Sequence, residues 1–157
     1  MAAMPKQKHP GGSVQPGEPS KAPRSLRVLV AEDDRDSALT LMMLLREEGH
    51  ETKAVQSGRS VMRAISDFDP DVVIMDIHLP ELSGWEAARR VRQQRGHGRP
   101  MIIGISGEYK QGADRILSEI IGFNHYLVKP YMMSDLLRLI EPLRHPPIGE
   151  GVDLSAP

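Results

Sequence analysis

No cysteine occurs in the 157 residues, which excludes disulfides, thiolate metal sites and a cysteine nucleophile. Neither sign of charge is in excess: the formal net charge of −1 offers no strong electrostatic grip on nucleic acid or anionic lipid. Long apolar runs are missing, so no membrane span is expected, and the amino terminus lacks the apolar core of a signal peptide. Cytoplasmic location is the expectation. His9, His50, His78, His97, His125 and His145 include no pair at the i, i+3 or i, i+4 spacing of a zinc site.

What is present fits one domain with tails. Residues 1–25 carry Pro5, Pro10, Pro16, Pro19 and Pro23 with Gly11, Gly12 and Gly17, and almost nothing apolar. Such a stretch buries too little surface to offset its ordering entropy, and a disordered arm is expected there. Residues 26–144 alternate short apolar strands with amphipathic helices. Strands are expected at Leu26–Ala31, Glu51–Val55, Val72–Asp76, Met101–Ile105 and Tyr126–Val128. Helices are expected at about Asp36–Glu48, Ser57–Ser66, Trp85–Arg95, Lys110–Ile121 and Ser134–Leu143, several closed by glycine. Residues 145–157 are expected to be a flexible tail. Five strands joined by helical crossovers imply an α/β fold with a doubly wound parallel sheet.

Val72-Val73-Ile74-Met75 runs without alternation into Asp76, as a strand covered on both faces would. Asp76 then stands at the carboxyl end of its strand, where open α/β sheets bind ligands. Other strand ends carry polar residues as well: Glu32 and Asp33 after the first, Ser106 after the fourth, Lys129 after the fifth. In a doubly wound sheet these converge on one edge. Each alone has a plainer reading as turn or cap chemistry; four together in register do not.

At these residues the chain resembles the receiver domain of two-component response regulators. The matching stretches are Leu29-Val30-Ala31-Glu32-Asp33-Asp34, Val73-Ile74-Met75-Asp76-Ile77-His78-Leu79-Pro80 with Gly84, Ile105-Ser106-Gly107, and Tyr126-Leu127-Val128-Lys129-Pro130, spanning about Leu26 to Arg144. The resemblance implies a flavodoxin-like (βα)5 sheet in the order 2-1-3-4-5, the order for which the chemotaxis receiver is a standard example. It implies that Asp76 accepts a phosphoryl group from a histidine kinase or a histidine phosphotransfer protein, with Mg²⁺ as cofactor. Asp33 would hold the ion directly and Glu32 through water, beside Asp76 and the backbone carbonyl of His78. Lys129 would pair with a phosphoryl oxygen. Ser106 would be the switch hydroxyl and Tyr126 the switch aromatic, although Tyr126 also reads as a half-buried aromatic on an edge strand. A cis bond is implied at Lys129–Pro130. Gly104 and Gly107 are expected to loosen the loop from Ser106 to Lys110, and His78 and Glu108 flank the site where they would steer a hydrolytic water.

The helix after the first strand carries two apolar stripes, Leu41, Leu44 and Leu45 with Ser37 on one side and Leu39, Met42 and Met43 on the other. The second stripe is the candidate surface for a kinase helix bundle, or else part of a wide core contact. Lys110, Ile116, Tyr126 and Tyr131 mark the family's output and dimerisation face, so a phosphorylation-dependent homodimer is a possible partner state beside a downstream protein. The expectation is a stand-alone receiver that is not an enzyme beyond self-catalysed phosphotransfer and autodephosphorylation. The alternatives are a degenerate receiver used as a scaffold, or an aspartyl-nucleophile phosphatase, which commonly has a second Asp where this chain has His78. A DNA-binding regulator would need a basic reading domain after Arg144.

Overall fold

The computed structural model describes residues 22–108 and 120–145. Its elements run β1 (Arg27–Ala31), α1 (Arg35–Glu47), β2 (Glu51–Val55), α2 (Gly58–Phe68), β3 (Val72–Asp76), α3 (Gly84–Arg95), β4 (Met101–Ser106), β5 (His125–Val128) and α4 (Met133–Arg144). All strand pairs are parallel, and the order across the sheet is β2-β1-β3-β4-β5. The doubly wound sheet implied by the resemblance is therefore the observed one. The helix expected at Lys110–Ile121 lies outside the described residues except for its last two, which are helical. The arm and the tail fall outside them as well, apart from residues 22–25 and His145.

Alternate residues of the central strands face two separate cores. Leu29, Val73, Met75 and Ile102 meet Val61, Ile65, Ala88 and Val91 of α2 and α3. Val28, Val30, Ile74, Ile103 and Ile105 meet Ala38, Met42 and Leu45 of α1 and Leu136 and Ile140 of α4. Every residue of β3 is buried. This is why its sequence reads as an unbroken apolar run: both faces are covered by helices.

Short polar side chains start the helices. Asp34, Ser57 and Ser83 accept hydrogen bonds from the backbone N–H groups of Ser37, Ser60 and Glu86. Each satisfies a donor that the first helical turn leaves open. Two features sharpen the sequence-based reading. Met42 belongs to the core, 9 % exposed, because the buried positions of α1 follow the i, i+4, i+7 spacing of Ala38, Met42 and Leu45. The stripe Leu39, Met42, Met43 is thereby split, and only Leu39 and Met43 of the three face outward. Gly104, in the strand ahead of that loop, makes room for a ring. A Cβ there would come within 2.8 Å of Phe123, so the residue permits close packing.

The amino edge of the sheet is fastened by charge. The Asp71 carboxylate accepts from the Arg27 N–H at 2.8 Å, from Arg24 at 2.9 Å and pairs with Arg99 at 2.7 Å. Arg24, placed in the arm by composition, also bonds the Leu143 and Arg144 carbonyls. Arg92 of α3 is buried and spends its guanidinium on the carbonyls of Gly96, Pro100 and Gly122 and on Asn124 Oδ1. It ties α3 to the segments that enter β4 and β5.

Candidate functional site

The polar residues that end the strands do meet. Asp76, last in β3, is 9 % exposed. Its Oδ1 accepts the His78 backbone N–H at 2.8 Å and its Oδ2 accepts from Lys129 Nζ at 3.0 Å. Lys129 Nζ also reaches Glu32 Oε2 at 3.0 Å, while Glu32 Oε1 accepts the Asp34 N–H at 3.1 Å. The register behind this is backbone-made. The Lys129 N–H donates to the Ser106 carbonyl, and the Ile77 N–H to that of Ile105. The Lys129–Pro130 bond is cis, as the resemblance implies, and so is Arg99–Pro100.

Charge is unevenly distributed here. Lys129 faces Glu32, Asp33 and Asp76, whose ligand oxygens all lie within 4.8 Å of one another. Burial raises the Glu32 carboxyl above its ordinary range, against the opposing hydrogen bond from Lys129. Burial works against the Lys129 ammonium as well, but Asp76 and Glu32 outweigh it and raise its pKa. The ammonium is therefore firmly held in its charged form, and it neutralises only part of the acidic cluster.

The donor set suits a hard divalent cation. Octahedral Mg²⁺ takes oxygens at about 2.1 Å, which sets neighbouring ligands roughly 3–4 Å apart and leaves several positions to water. Three carboxylates whose oxygens gather within 4.8 Å of one another, with Asp33 exposed to solvent, offer such a donor set. His78 joins the site through its N–H, and its side chain is exposed. A cavity of about 470 Å³ opens beside Asp76 and Lys129, walled by Leu41, Ile74, Ile105 and Tyr131.

Ser106 is buried at the end of β4, and its hydroxyl is engaged in the loop that follows. It donates to the Glu108 carbonyl at 3.0 Å and accepts the Glu108 N–H at 3.1 Å. The Tyr126 hydroxyl donates to the same carbonyl at 3.4 Å. The two residues assigned as switch elements thus share one acceptor, a link the side-chain pattern could not show. Lys110 and Ile116 of the expected output face lie outside the described residues; Tyr126 and Tyr131 are half-buried. On α1, Leu39 and Met43 are 53 % and 62 % exposed.

Sequence reasoning passed over the role of Gly84. A Cβ at that position would collide with the Asp76 carbonyl oxygen. Its fixed distance from Asp76 and the N-cap serine before it were the available signals.

Known regulators and receiver domains are similar to this chain. The chain is 32% identical over 145 residues to the transcriptional regulatory protein TcrA of Mycobacterium tuberculosis, with 88% of this chain and 56% of TcrA covered. It is 30% identical to the response regulator MprA of Mycolicibacterium vanbaalenii, with 83% and 56% covered. The chain thus spans about half the length of these regulators. Among solved structures, it is similar to the receiver domain of the sensor histidine kinase PA1611 from Pseudomonas aeruginosa, which has a magnesium ion coordinated in its active site cleft. That match has 30% identity, a TM-score of 0.66, and 74% of this chain and 95% of the other covered. The receiver domain of the Francisella response regulator 1452 matches at 25% identity and a TM-score of 0.70, covering 76% and 97%. The response regulator receiver domain family matches residues 28–141. With five parallel strands in this order and an acid cluster, a lysine and a serine at their carboxyl ends, the chain belongs to the receiver domains of the two-component response regulators.

Proposed function

We propose that the chain accepts a phosphoryl group on Asp76 from a phosphohistidine of a histidine kinase or phosphotransfer protein. The phosphorylated form then signals by docking to a downstream protein or by passing the group along a relay. The observation that carries this is the bridge of Lys129 between Asp76 and Glu32, at 3.0 Å to each, beside the exposed carboxylate of Asp33. One cation holds the nucleophile in place, and the acidic excess marks the position of a second, diffusible one.

In the transfer, an Asp76 carboxylate oxygen forms a bond to phosphorus as the bond to the donor's imidazole nitrogen breaks. The ring leaves as neutral imidazole when its other nitrogen carries a proton. Mg²⁺, held by Asp33, Asp76 and the His78 carbonyl and by Glu32 through water, would supply the positive charge that lets two anions approach. Lys129 is already within reach of Asp76 and moves its hydrogen bond to a phosphoryl oxygen, a charge-assisted contact. Ser106 gives up the Glu108 backbone to donate to another oxygen. Bonds of this kind contribute about 1.5–3 kcal/mol each, and two approach the roughly 5.5 kcal/mol that turns a mostly inactive population into a mostly active one. The chain is a phosphoacceptor that catalyses its own modification and its loss, without turnover of a separate substrate.

Intact mass after incubation with acetyl phosphate tests this. A gain of about 80 Da, the mass of one phosphoryl group on a carboxylate nucleophile, is expected with Mg²⁺ and is abolished by EDTA. An adduct that forms equally well in EDTA would overturn the reading.

A further inference from the structure

Trp85, the chain's one tryptophan, stands next to Gly84, whose Cα packs against the Asp76 carbonyl. The Gly84 N–H donates to the Ile77 carbonyl at 2.9 Å. The backbone carrying the indole is thereby fixed to the end of β3, beside the phosphoacceptor. Its ring has two aromatic neighbours of unlike character. Phe123 meets it edge-on, with centroids 5.2 Å apart and planes at 85°. That ring is itself confined, 6 % exposed and pressed against Gly104. Tyr126 lies nearly parallel to the indole, 6.4 Å away with planes at 21°, and is half-buried on the edge strand.

The indole is thus anchored from below and on one side, and on the other it offers a flat face to Tyr126. Parallel offset rings can slide or part without breaking a directional bond, whereas the edge-on pair is locked by packing. The Tyr126 hydroxyl shares the Glu108 carbonyl with Ser106, so a turn of Ser106 toward Asp76 changes the acceptor that Tyr126 uses. Both ends of the tyrosine then respond to the same event.

We infer that Trp85 is the positioning residue of the Tyr126 switch: its indole holds the phenol ring in the unphosphorylated chain, and phosphorylation of Asp76 parts the stack and uncovers the indole. This rests on phosphoryl acceptance at Asp76. The first turn of α3 thereby becomes part of the surface that changes.

The test reads Trp85 fluorescence in the full chain, with Mg²⁺ and beryllofluoride as stand-in for the phosphoryl group, alongside intact mass with acetyl phosphate. In the wild type, beryllofluoride shifts the emission, while in Tyr126→Leu the emission is unmoved although the mass adduct still forms. Trp85→Phe keeps a ring for Phe123 and shrinks the stack. It is expected to accumulate adduct about two- to tenfold faster, the equilibrium equivalent of one aromatic pair, with Mg²⁺ affinity unchanged. An equal emission shift in Tyr126→Leu, or no shift in a wild type that forms the adduct, overturns the inference. So does an unchanged rate in Trp85→Phe, which would leave Trp85 as packing alone. Absence of any wild-type adduct overturns the functional reading itself, and this inference with it.

Discussion

Both ends of the sheet are built from aspartates and cations, yet they differ in proportion. At the amino edge Asp69 and Asp71 face Arg24, Arg27, Arg95 and Arg99, two carboxylates against four guanidiniums. Asp71 also takes a backbone N–H, so a side chain only 6 % exposed is fully engaged. At the carboxyl edge Glu32, Asp33 and Asp76 face Lys129 alone among the described residues. A buried carboxylate with its charge met is a fastening, since removing either partner strands the other. A cluster left with two negative charges uncompensated is a site, because a diffusible cation can complete it. The stoichiometry, more than the residue type, separates structure from function in this molecule.

Substitutions can break that contrast from either side. Asp76→Asn is expected to have the largest effect, removing all phosphoryl acceptance in intact-mass measurements while the thermal melting temperature stays level or rises. The rise would follow from relief of acidic crowding. Lys129→Met removes the one cation and should slow adduct formation about 100-fold or more, the usual scale for loss of a group that stabilises transition-state charge. Mg²⁺ binding, followed by titration, should survive. At the other edge Asp71→Ala should leave acceptance intact and lower stability in urea melts by about 2–3 kcal/mol, the scale of charge-assisted bonds lost from a buried carboxylate.

A smaller effect concerns His50, which is buried near the amino edge. Its Nδ1 accepts the Leu26 N–H at 3.2 Å, and its Nε2 has no hydrogen-bond partner among the described residues. Burial, and after it the Arg144 guanidinium, lowers its pKa, against Glu48 and Glu141. The folded state therefore binds fewer protons than the unfolded state below the ordinary value of 6.5. This contribution to stability is complete above that pH and falls as the pH drops toward the folded pKa, by at most about 1.4 kcal/mol per pH unit. His50→Gln should flatten the urea-midpoint profile just below pH 6.5; an unaltered profile would assign the acid sensitivity elsewhere.

Much of the architecture was legible from local pattern. Apolar runs such as Val72–Met75 and the glycines that close helices mark elements to within a residue or two, because burial on both faces and the positive-φ turn after a helix act locally. The convergence of Glu32, Asp76, Ser106 and Lys129 followed from topology, since parallel strands bring all their carboxyl ends to one edge. What escaped was set by contacts distant in sequence. Met42 reads as a stripe partner of Leu39 and Met43, but helix rotation against the sheet puts it in the core. The space that Gly104 leaves for Phe123 has no local signal either. No local signal reveals that three carbonyls and Asn124 surround Arg92. The shared Glu108 carbonyl is a backbone atom, invisible to any side-chain pattern.

The most direct measurement locates the phosphoryl group. After treatment with acetyl phosphate and Mg²⁺, borohydride reduces an aspartyl phosphate to homoserine, lightening that residue by about 14 Da, as expected for an acyl phosphate on a carboxylate nucleophile. Peptide mass spectrometry is predicted to find the change at residue 76 and nowhere else, and to lose it when EDTA replaces Mg²⁺. Homoserine at Asp33 or another aspartate, or the corresponding five-carbon amino alcohol at Glu32 or another glutamate, with Asp76 unmodified, would contradict the account.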